Sequence, residues 1–232
     1  MLAQLAAEAA GEDDRYAGAS DDELLGVIGG WDRVESNASA CKHAAAAELL
    51  RRRPAPGTAV DEPSGLPEQW DEFVCRELGA ALAVSAGEAE EMLGLAADLE
   101  VSLPGTRAGF RSGVLTRDKA RIIAAATGLL DPAEARAAED LVLGRAGTLT
   151  PAGLRAAIAR AVMEVNPEKA RKRREHAAQR ARVQRWAEAS GNAGITGREL
   201  PPAQVLAADQ RITWWAQQLR QAGLEELVKS FV

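Results

Sequence analysis

The chain has 232 residues, of which 47% are hydrophobic, so it is long enough to bury a sizeable core as one large or two small domains. Aromatic residues make up only 4% while alanine is abundant, which favours packed helices over sheets. The formal net charge of −6 argues against nucleic-acid binding over the whole surface. No apolar run is long enough to span a bilayer, so we expect no membrane partner.

The N-terminal sequence MLAQLAAEAAGEDD lacks the basic start and the long apolar core of a secretory signal, so a cytoplasmic protein is expected. Residues 1–19 are rich in Ala, Gly and acids without a firm period, and they are predicted to form a disordered leader. Cys41 and Cys75 occur in apolar helical patterns without a C-x-x-C partner. This indicates buried thiols rather than a zinc site or a disulfide framework.

A long helix is predicted from Ser20 to about Arg53, because Ser20 and Glu23 have the spacing of a capping box and Pro54 ends the segment. Its apolar residues recur every three or four positions, at Leu24, Ile28, Trp31, Ala38, Cys41, Ala45 and Leu49. Such a helix can pack along the body of its own chain or pair with a second copy of itself. We favour packing within the chain, since most amphipathic helices cover a core.

Residues 54–67 form a Pro/Gly-rich connector, after which the pattern predicts a helix from about Glu68. The residues that this helix is expected to bury are Trp70, Phe73, Val74, Leu78, Ala81 and Leu82. Residues 77–126 then have the order of a helix-turn-helix motif: a helix, a tight turn, a second helix, a Leu-Pro break and a third helix.

In the second helix of this motif, Ser85 and Glu88 predict a capping box. Its inner face is predicted to be Ala89, Met92, Leu93, Ala96 and Leu99. In DNA-reading versions of the motif the second helix enters the major groove. Its outward positions here are acidic and would repel phosphates, namely Glu88, Glu90, Glu91 and Asp98. We therefore interpret the motif as structural.

Capping residues predict the next helix starts. Thr116 precedes the third central helix, and a cap residue followed by proline recurs at Asp131-Pro132, Thr150-Pro151 and Asn166-Pro167. The helix after Pro151 has a clean inner face made of Leu154, Ala157, Ile158, Ala161, Val162 and Val165.

Past Pro167 the chain becomes basic, since residues 168–185 contain eight Lys or Arg and two Glu. The cations are Lys169, Arg171, Lys172, Arg173, Arg174, Arg180, Arg182 and Arg185. On a helix the first seven of them cover much of the circumference, and all eight are candidates for phosphate contacts without sequence preference. The alternative is a solvated helix, or one that pairs with an acidic protein surface.

A short β-hairpin is predicted within residues 181–200, around the turn Ser190–Gly194. Pro201-Pro202 opens a final helix, which is predicted to end at Gly223 before an amphipathic segment, residues 224–232. One side of that helix carries Val205, Asp209, Ile212, Trp215, Ala216 and Leu219. Trp214-Trp215 could stack on bases, but we favour core packing because Trp215 lies on the apolar side.

The predicted fold is therefore mainly α: a multi-helix bundle with a helix-turn-helix-like centre and a small β-hairpin. We expect three parts: the leader 1–19, a helical domain 20–180, and a hairpin-plus-helix C-terminal subdomain 181–232 that is truncated.

Four pieces of the chain, over roughly residues 66–223, carry a family resemblance. They are ELGAALAVSAGEAEEMLGLAADLEVSLPGT, GVLTRDKARIIAAAT, AEDLVLGRAGTLTPAGLRAAIARAVMEVNPEKARKRREHAAQRARV and GITGRELPPAQVLAADQRITWWAQQLRQAG. In this order they resemble the domain of unknown function 222 family, also called the 13E12 repeat family, of actinobacterial proteins that often continue into an HNH endonuclease. The resemblance implies a mainly helical region upstream of a nuclease and a part in DNA or mobile-element biology.

An HNH nuclease would need paired His or His/Asn side chains to activate water and hold a divalent metal. His43 and His176 are the only histidines and lie far apart in the sequence. Nucleophile-elbow, phosphate-loop and dinucleotide-binding motifs are likewise missing from the sequence. We therefore expect no enzyme activity, no catalytic or metal-binding residues, no cofactor and no small-molecule substrate, and a chain that lacks its family's nuclease domain.

Two hypotheses follow from the sequence. In the first, the chain is the non-catalytic helical module of an HNH-endonuclease-type protein and holds DNA through its basic segment. In the second, it is a protein-interaction or homodimerisation module that uses the long helix at residues 20–53 and the acidic helix-turn-helix face.

Overall fold

Capping side chains mark where most of the helices begin. The computed structural model describes residue 16 and residues 18–60 and 64–221, without the side chain of Arg173. In chain order the elements are α1 (Asp21–Arg52), α2 (Val74–Leu82), α3 (Ala86–Val101), α4 (Pro104–Arg111), α5 (Arg117–Thr127), α6 (Pro132–Ala146), α7 (Pro151–Val165), α8 (Pro167–Gln179), β1 (Arg182–Ala187), β2 (Ala193–Arg198) and α9 (Pro202–Gln221). The predicted fold class, mainly α with one small hairpin, is confirmed.

The chain divides into two compact units, and each is described by itself. The helical unit is Met1–Ala170 and the C-terminal unit is Arg171–Val232. Most of the predicted leader, the predicted helix end at Gly223 and the segment 224–232 lie outside the described residues. Among the helices that the structure describes, none has the length and apolar character needed to cross a membrane.

The start of α1 is confirmed, but its predicted inner face is wrong. Ser20 and Glu23 form the capping box, in which the Glu23 carboxylate accepts the Ser20 amide at 2.8 Å. The predicted face is largely exposed, at Ile28, Trp31, Ala38, Cys41 and Ala45. The residues buried instead are Ser36, His43, Ala46, Ala47 and Leu50. The periodic pattern identified the side of α1 that carries the large apolar residues. Which side is buried depends instead on where the neighbouring helices pack against α1.

The prediction that both thiols are buried is also wrong, because it relied on the same apolar periodicity. Cys41 lies on the solvent side of α1 and is exposed, and Cys75 in α2 is half-buried. Both thiols are free in the structure.

From Arg33 onward α1 packs on the same chain. The Asn37 amide donates to the backbone oxygen of Arg111 at 2.5 Å, at the end of α4. At Gly113, which has a φ of +76°, an added Cβ would lie 2.7 Å from the backbone oxygen of Arg33. Only glycine fits this left-handed turn so close to a helix backbone. For this part of α1, packing within the chain is therefore the correct alternative.

α2 begins later than predicted. Instead of continuing from Glu68, the chain forms isolated antiparallel bridges between Pro54 and Trp70 and between Val60 and Pro67. The bridge holds Trp70 in an extended conformation, so the helix begins only at Val74. Of the residues that the sequence predicted to be buried here, Phe73, Ala81 and Leu82 are exposed.

The second helix of the central motif, α3, agrees with its prediction. Ser85 and Glu88 form a capping box, and the predicted inner face is buried in full. The sequence predicted only a break at Leu103-Pro104. The structure instead has a helix there, α4, which was not predicted. Pro104 occupies its first turn, and Leu103 before it supplies no side-chain cap.

A buried carboxylate on α6 supplies the missing cap. Glu139 accepts the backbone N–H of Gly105 at 2.9 Å and that of Thr106 at 2.8 Å, and the Thr106 hydroxyl at 2.7 Å. Glu139 is only 1% exposed. A negative charge at a helix N-terminus also interacts favourably with the helix dipole. A contact between distant residues thus creates α4.

The remaining predicted helix starts are confirmed. Thr116, Asp131 and Thr150 accept backbone N–H groups as N-caps of α5, α6 and α7, and Asn166 does so at the start of α8. The inner face of α7 is buried at Leu154, Ala157, Ile158, Ala161 and Val162, with Val165 half-buried.

The core of the helical unit has two parts. The larger part lies among α3 to α7 and contains Phe110, Ile123 and Ile158. The smaller part joins α1, α2 and α3 around Leu50 and Leu93. α3 contributes to both parts, so it is the central helix of the unit.

In the C-terminal unit the hairpin is confirmed, but the predicted core face of α9 is wrong. β1 and β2 pair antiparallel from Arg182–Arg198 to Ala187–Ala193. On α9, Trp215 is 54% exposed and only Ala216 is buried. The described part of this unit is too small to enclose a helix of 20 residues. The Trp214 and Trp215 rings contact each other edge to face, with centroids 5.1 Å apart.

Asp98 on α3 is a further correction, because the sequence placed it on the outward face. It is half-buried, and burial raises the pKa of its carboxyl to about 6. The folded state therefore binds this proton more tightly than the unfolded chain does, whose Asp pKa is about 3.9. The stabilisation from the neutral carboxyl is complete below about pH 4 and is lost as the pH rises through about 6.

We predict that Asp98→Asn, which mimics the neutral carboxyl, raises the Tm at about pH 7.5 and changes it little at about pH 4. Each kcal/mol gained should raise the Tm by about 2 to 4 °C in a protein of this size. Thermal unfolding followed by circular dichroism at the two pH values measures the difference. Asp140→Asn, at an exposed position of α6, is the matched control. If Asp98→Asn changes the Tm equally at both pH values, the raised pKa of Asp98 is contradicted.

We also predict that Glu139→Ala destabilises the protein by about 3 to 5 kcal/mol, because it leaves buried donors of α4 unpaired. Glu139→Gln should cost less, since its amide oxygen still accepts one of the N–H groups. Urea unfolding of the full chain measures both changes. Glu164→Ala, at an exposed position of α7, should change the stability by less than about 0.5 kcal/mol. Comparable losses in the Glu139→Ala and Glu164→Ala variants would rule out the capping role.

Candidate nucleic-acid interface

The basic segment begins where a polar network holds the first turn of α8. The Asn166 side chain accepts the Lys169 backbone N–H at 2.9 Å and donates to Glu134 at 2.7 Å. The Lys169 ammonium lies 2.6 Å from the same Glu134 carboxylate and 3.5 Å from Asp131. The first turn of α8 is thereby attached to the N-terminus of α6.

The charges of this network are strongly coupled. Hydrogen bonds from Lys169 and Asn166, and from the Asp131 backbone, lower the pKa of Glu134 to about 2. The same contact with Glu134 raises the pKa of Lys169. Lys169, which the sequence placed among the phosphate contacts, thus lies in an ion-pair network of the helical unit. Its contact with DNA stays a prediction.

The other predicted cations on α8 belong to the C-terminal unit. Arg171 and Glu175 form an exposed ion pair at 2.6 Å, one helical turn apart. Such surface pairs contribute little stability, so the pair does not prevent Arg171 from contacting a phosphate. Lys172 and Arg174 are exposed, and the side chain of Arg173 lies outside the described residues.

The prediction that the basic helix also carries Arg180 and Arg182 is wrong, and the strand that holds Arg182 and Arg185 belongs to the hairpin predicted within residues 181–200. α8 ends at Gln179, Arg180 follows it, and both Arg182 and Arg185 lie on β1. The side chains of Arg182 and Arg185 point to opposite faces of the hairpin, because their positions differ by an odd number along the strand. All three are exposed. The β-branched Val183 and the aromatic Trp186 have the high strand propensity that favours a strand here.

Sequence reasoning missed two residues beside these arginines. Arg198 lies directly opposite Arg182 in the hairpin, and Trp186 lies on the same face of the sheet as Arg182. The sequence signal was the alternation of Arg182, Gln184 and Trp186. This alternation identifies a shared face only when the pairing register of β1 and β2 is known, because the register brings Arg198 beside Arg182.

The two histidines lie in different units. His43 is buried in α1 and its Nδ1 donates to the Ser39 carbonyl at 2.8 Å, which leaves Nε2 buried without a partner among the described residues. Burial lowers the pKa of His43. His176 is exposed on α8. Within the described ranges no group of three or more His, Cys, Asp and Glu residues is arranged to hold a metal ion.

The acidic side of the helix-turn-helix-like centre has local functions. Glu88 closes the capping box of α3, and Glu91 lies 3.7 Å from Arg121 of α5. Glu90 is exposed. These contacts favour the structural interpretation of the motif over a groove-reading helix.

Comparison with known proteins adds a family assignment. No curated protein and no solved structure matches the chain. The sequence model of the family described as Domain of unknown function (DUF222) matches residues 32–226, from the first half of α1 to beyond the described end of α9. The match covers more than half of the chain, both units included, and therefore the chain belongs to the DUF222 family.

Proposed function

We propose that the chain is a non-catalytic, DNA-associated helical module whose basic segment holds DNA through phosphate contacts without reading its sequence. The observation that carries the proposal is the segregation of charge. Residues 168–185 carry a formal charge of +6, whereas the whole chain carries −6. A local cluster of exposed cations on an otherwise acidic protein attracts a polyanion to one place.

The geometry supports a particular subset of the cations. Lys169 is in contact with two carboxylates, so we assign the phosphate contacts to the exposed cations beyond it. Arg171, Lys172 and Arg174 lie on α8, and Arg180, Arg182 and Arg185 follow on the turn and β1. Their distribution over a helix and a strand favours contacts with the backbone rather than with base edges.

The family resemblance adds the expectation that the module accompanies an HNH nuclease. In this proposal the chain itself supplies binding and no catalysis. His43 is buried and its Nδ1 is used in α1, so it is poorly placed to activate a water molecule. His176 is solvent-exposed without a described metal-ligand cluster around it.

We predict that the variant with Arg171, Lys172, Arg173 and Arg174 all changed to Ala loses affinity for a labelled DNA duplex. The logarithm of the binding constant should also depend less steeply on the logarithm of the salt concentration, by about 0.9 for each phosphate that the variant no longer neutralises. Fluorescence anisotropy across a sodium chloride series measures both quantities. The loss should be similar for duplexes of unrelated sequence, since phosphate contacts carry no sequence information.

The matched control changes Arg76, Arg117, Arg155 and Arg160 to Ala. These arginines are exposed on the helical unit, and their removal lowers the net charge by the same amount. If the two variants lose the same affinity and slope, general electrostatics explains the binding and the basic segment is not a site. If the unaltered chain fails to bind duplex even at low salt, the DNA proposal is wrong.

A second candidate function is homodimerisation through the first half of α1. Leu25, Ile28 and Trp31 are 66%, 64% and 41% exposed, and each lies beside the next on the helix surface because successive members are three residues apart. Within the described residues no element covers them, whereas the second half of α1 is packed on α3 and α4. An exposed apolar stripe of this kind fits a second copy of the same helix.

For this candidate we predict that the unaltered chain is a dimer and that Leu25→Lys with Ile28→Lys makes it a monomer. A lysine pair in the apolar stripe would place unpaired charges in the interface. Size-exclusion chromatography with light scattering gives the mass. Leu129→Lys, at a 54% exposed leucine elsewhere in the helical unit, should leave the mass unchanged. If the unaltered chain is a monomer, homodimerisation is rejected as a function.

A further inference from the structure

The β-hairpin presents one face on which charged, polar and aromatic side chains follow each other in register. Side chains alternate between the faces of a strand, so residues 182, 184 and 186 share a face with their partners. We call it the tryptophan face, and its residues are Arg182, Gln184 and Trp186 of β1 and Arg198, Thr196 and Gly194 of β2. The three cross-strand pairs lie in the order Arg–Arg, Gln–Thr and Trp–Gly.

Trp186 is held as a platform at one end of this face. A Cβ added to Gly194 would overlap its indole ring, so the ring lies directly on the backbone of β2. Its Nε1 donates to the carboxylate of Glu188. Despite both contacts Trp186 is 44% exposed. A rigid aromatic ring whose outer side is open to solvent can stack on another flat ring without losing conformational freedom.

Two arginines occupy the other end. Arg182 and Arg198 lie directly opposite each other, which is an unfavourable arrangement for like charges on a sheet. Both are exposed, and neither forms an ion pair with a described residue. An anion that bridges the two guanidinium groups would remove the repulsion and gain charge-assisted hydrogen bonds.

The spacing joins the two ends into one site. Arg182 and Trp186 are four residues apart on an extended strand, which is about 13 Å at the usual rise per residue. Gln184 and Thr196 supply hydrogen-bonding groups between them. A ligand that fits must therefore present phosphates and flat rings along one extended chain.

We propose that the tryptophan face binds single-stranded nucleic acid, with a base stacked on Trp186 and a phosphate between Arg182 and Arg198. An unpaired strand is the specific ligand, because the flat faces of its bases are free to stack, as they are in the aromatic grooves that bind single strands. The proposal deepens the DNA-associated function and rests on it for the class of ligand.

The experiment compares binding of two labelled probes to the full chain by fluorescence anisotropy: an oligothymidylate and a duplex of equal length. Trp186→Ala should lower the affinity for oligothymidylate by about five-fold to a hundred-fold, the range typical for removal of one stacked base. It should change duplex affinity by less than about two-fold. Trp186→Phe, which keeps a flat ring, should retain part of the affinity for the single strand.

Phe73→Ala is the matched control, since Phe73 is a 49% exposed aromatic residue of the helical unit outside both proposed binding surfaces. It should leave both affinities unchanged. Changing Arg182 and Arg198 together to Ala should reduce the salt dependence of single-strand binding by about 0.7, the value for one phosphate. Changing Arg155 and Arg160 together to Ala, at exposed positions of the helical unit, is the charge-matched control and should leave this salt dependence unchanged.

The outcomes separate this inference from the proposed function. If Trp186→Ala leaves single-strand binding unchanged while the basic-helix variant loses duplex binding, the stacking site is wrong and the proposed function stands. If Trp186→Ala weakens both probes equally, Trp186 has a structural role and the inference also fails. If the unaltered chain does not bind duplex but Trp186→Ala weakens its binding to oligothymidylate, the stacking site is supported and the duplex-binding proposal is wrong. If neither probe binds at low salt, both proposals are wrong.

Discussion

The buried carboxylate of Glu139 organises the helical unit, because it receives the donors that α4 cannot satisfy locally. Leu103 precedes Pro104 and offers no cap, so the amides of Gly105 and Thr106 would otherwise face the core unpaired. Gly105 leaves room beside this carboxylate, since an added Cβ would overlap the end of the Leu143 side chain and lie 3.2 Å from a Glu139 oxygen. α4 and α6 are therefore held together by polar contacts that only this arrangement satisfies.

The position of α1 depends on α4 in turn. Phe110 of α4 is fully buried and meets the edge of the His43 ring at a centroid distance of 5.6 Å. Asn37 reaches the backbone at the end of the same helix. With the close approach of Gly113 to Arg33, these contacts hold α1 from Arg33 onward, and the turns before it keep Leu25, Ile28 and Trp31 exposed. The same anchoring that completes the fold thus creates the surface that dimerisation would use.

The candidate interface could be predicted from the sequence only as a region. Clustered cations are visible in the sequence, because charge is a local property of residues 168–185. Two facts depend on the structure: Lys169 is held by Glu134 of a distant helix, and the basic helix ends at Gln179, before Arg180 and Arg182. Pairing with β2 then brings Arg198 beside Arg182 and places Trp186 over Gly194. Strand register is a long-range property, so a helical interpretation of the segment could not reveal this face.

The sequence by itself determined the fold class and most helix starts, because a cap at Ser20, Ser85 or Thr150 depends only on residues two or three positions away. It also determined the inner faces of α3 and α7, whose apolar stripes are covered along their length. Only the tertiary structure decided that α4 exists, since its cap is 34 residues away at Glu139. It likewise decided which side of α1 is buried and that Trp215 is exposed, because burial depends on the neighbours that cover a face, and periodicity does not report them.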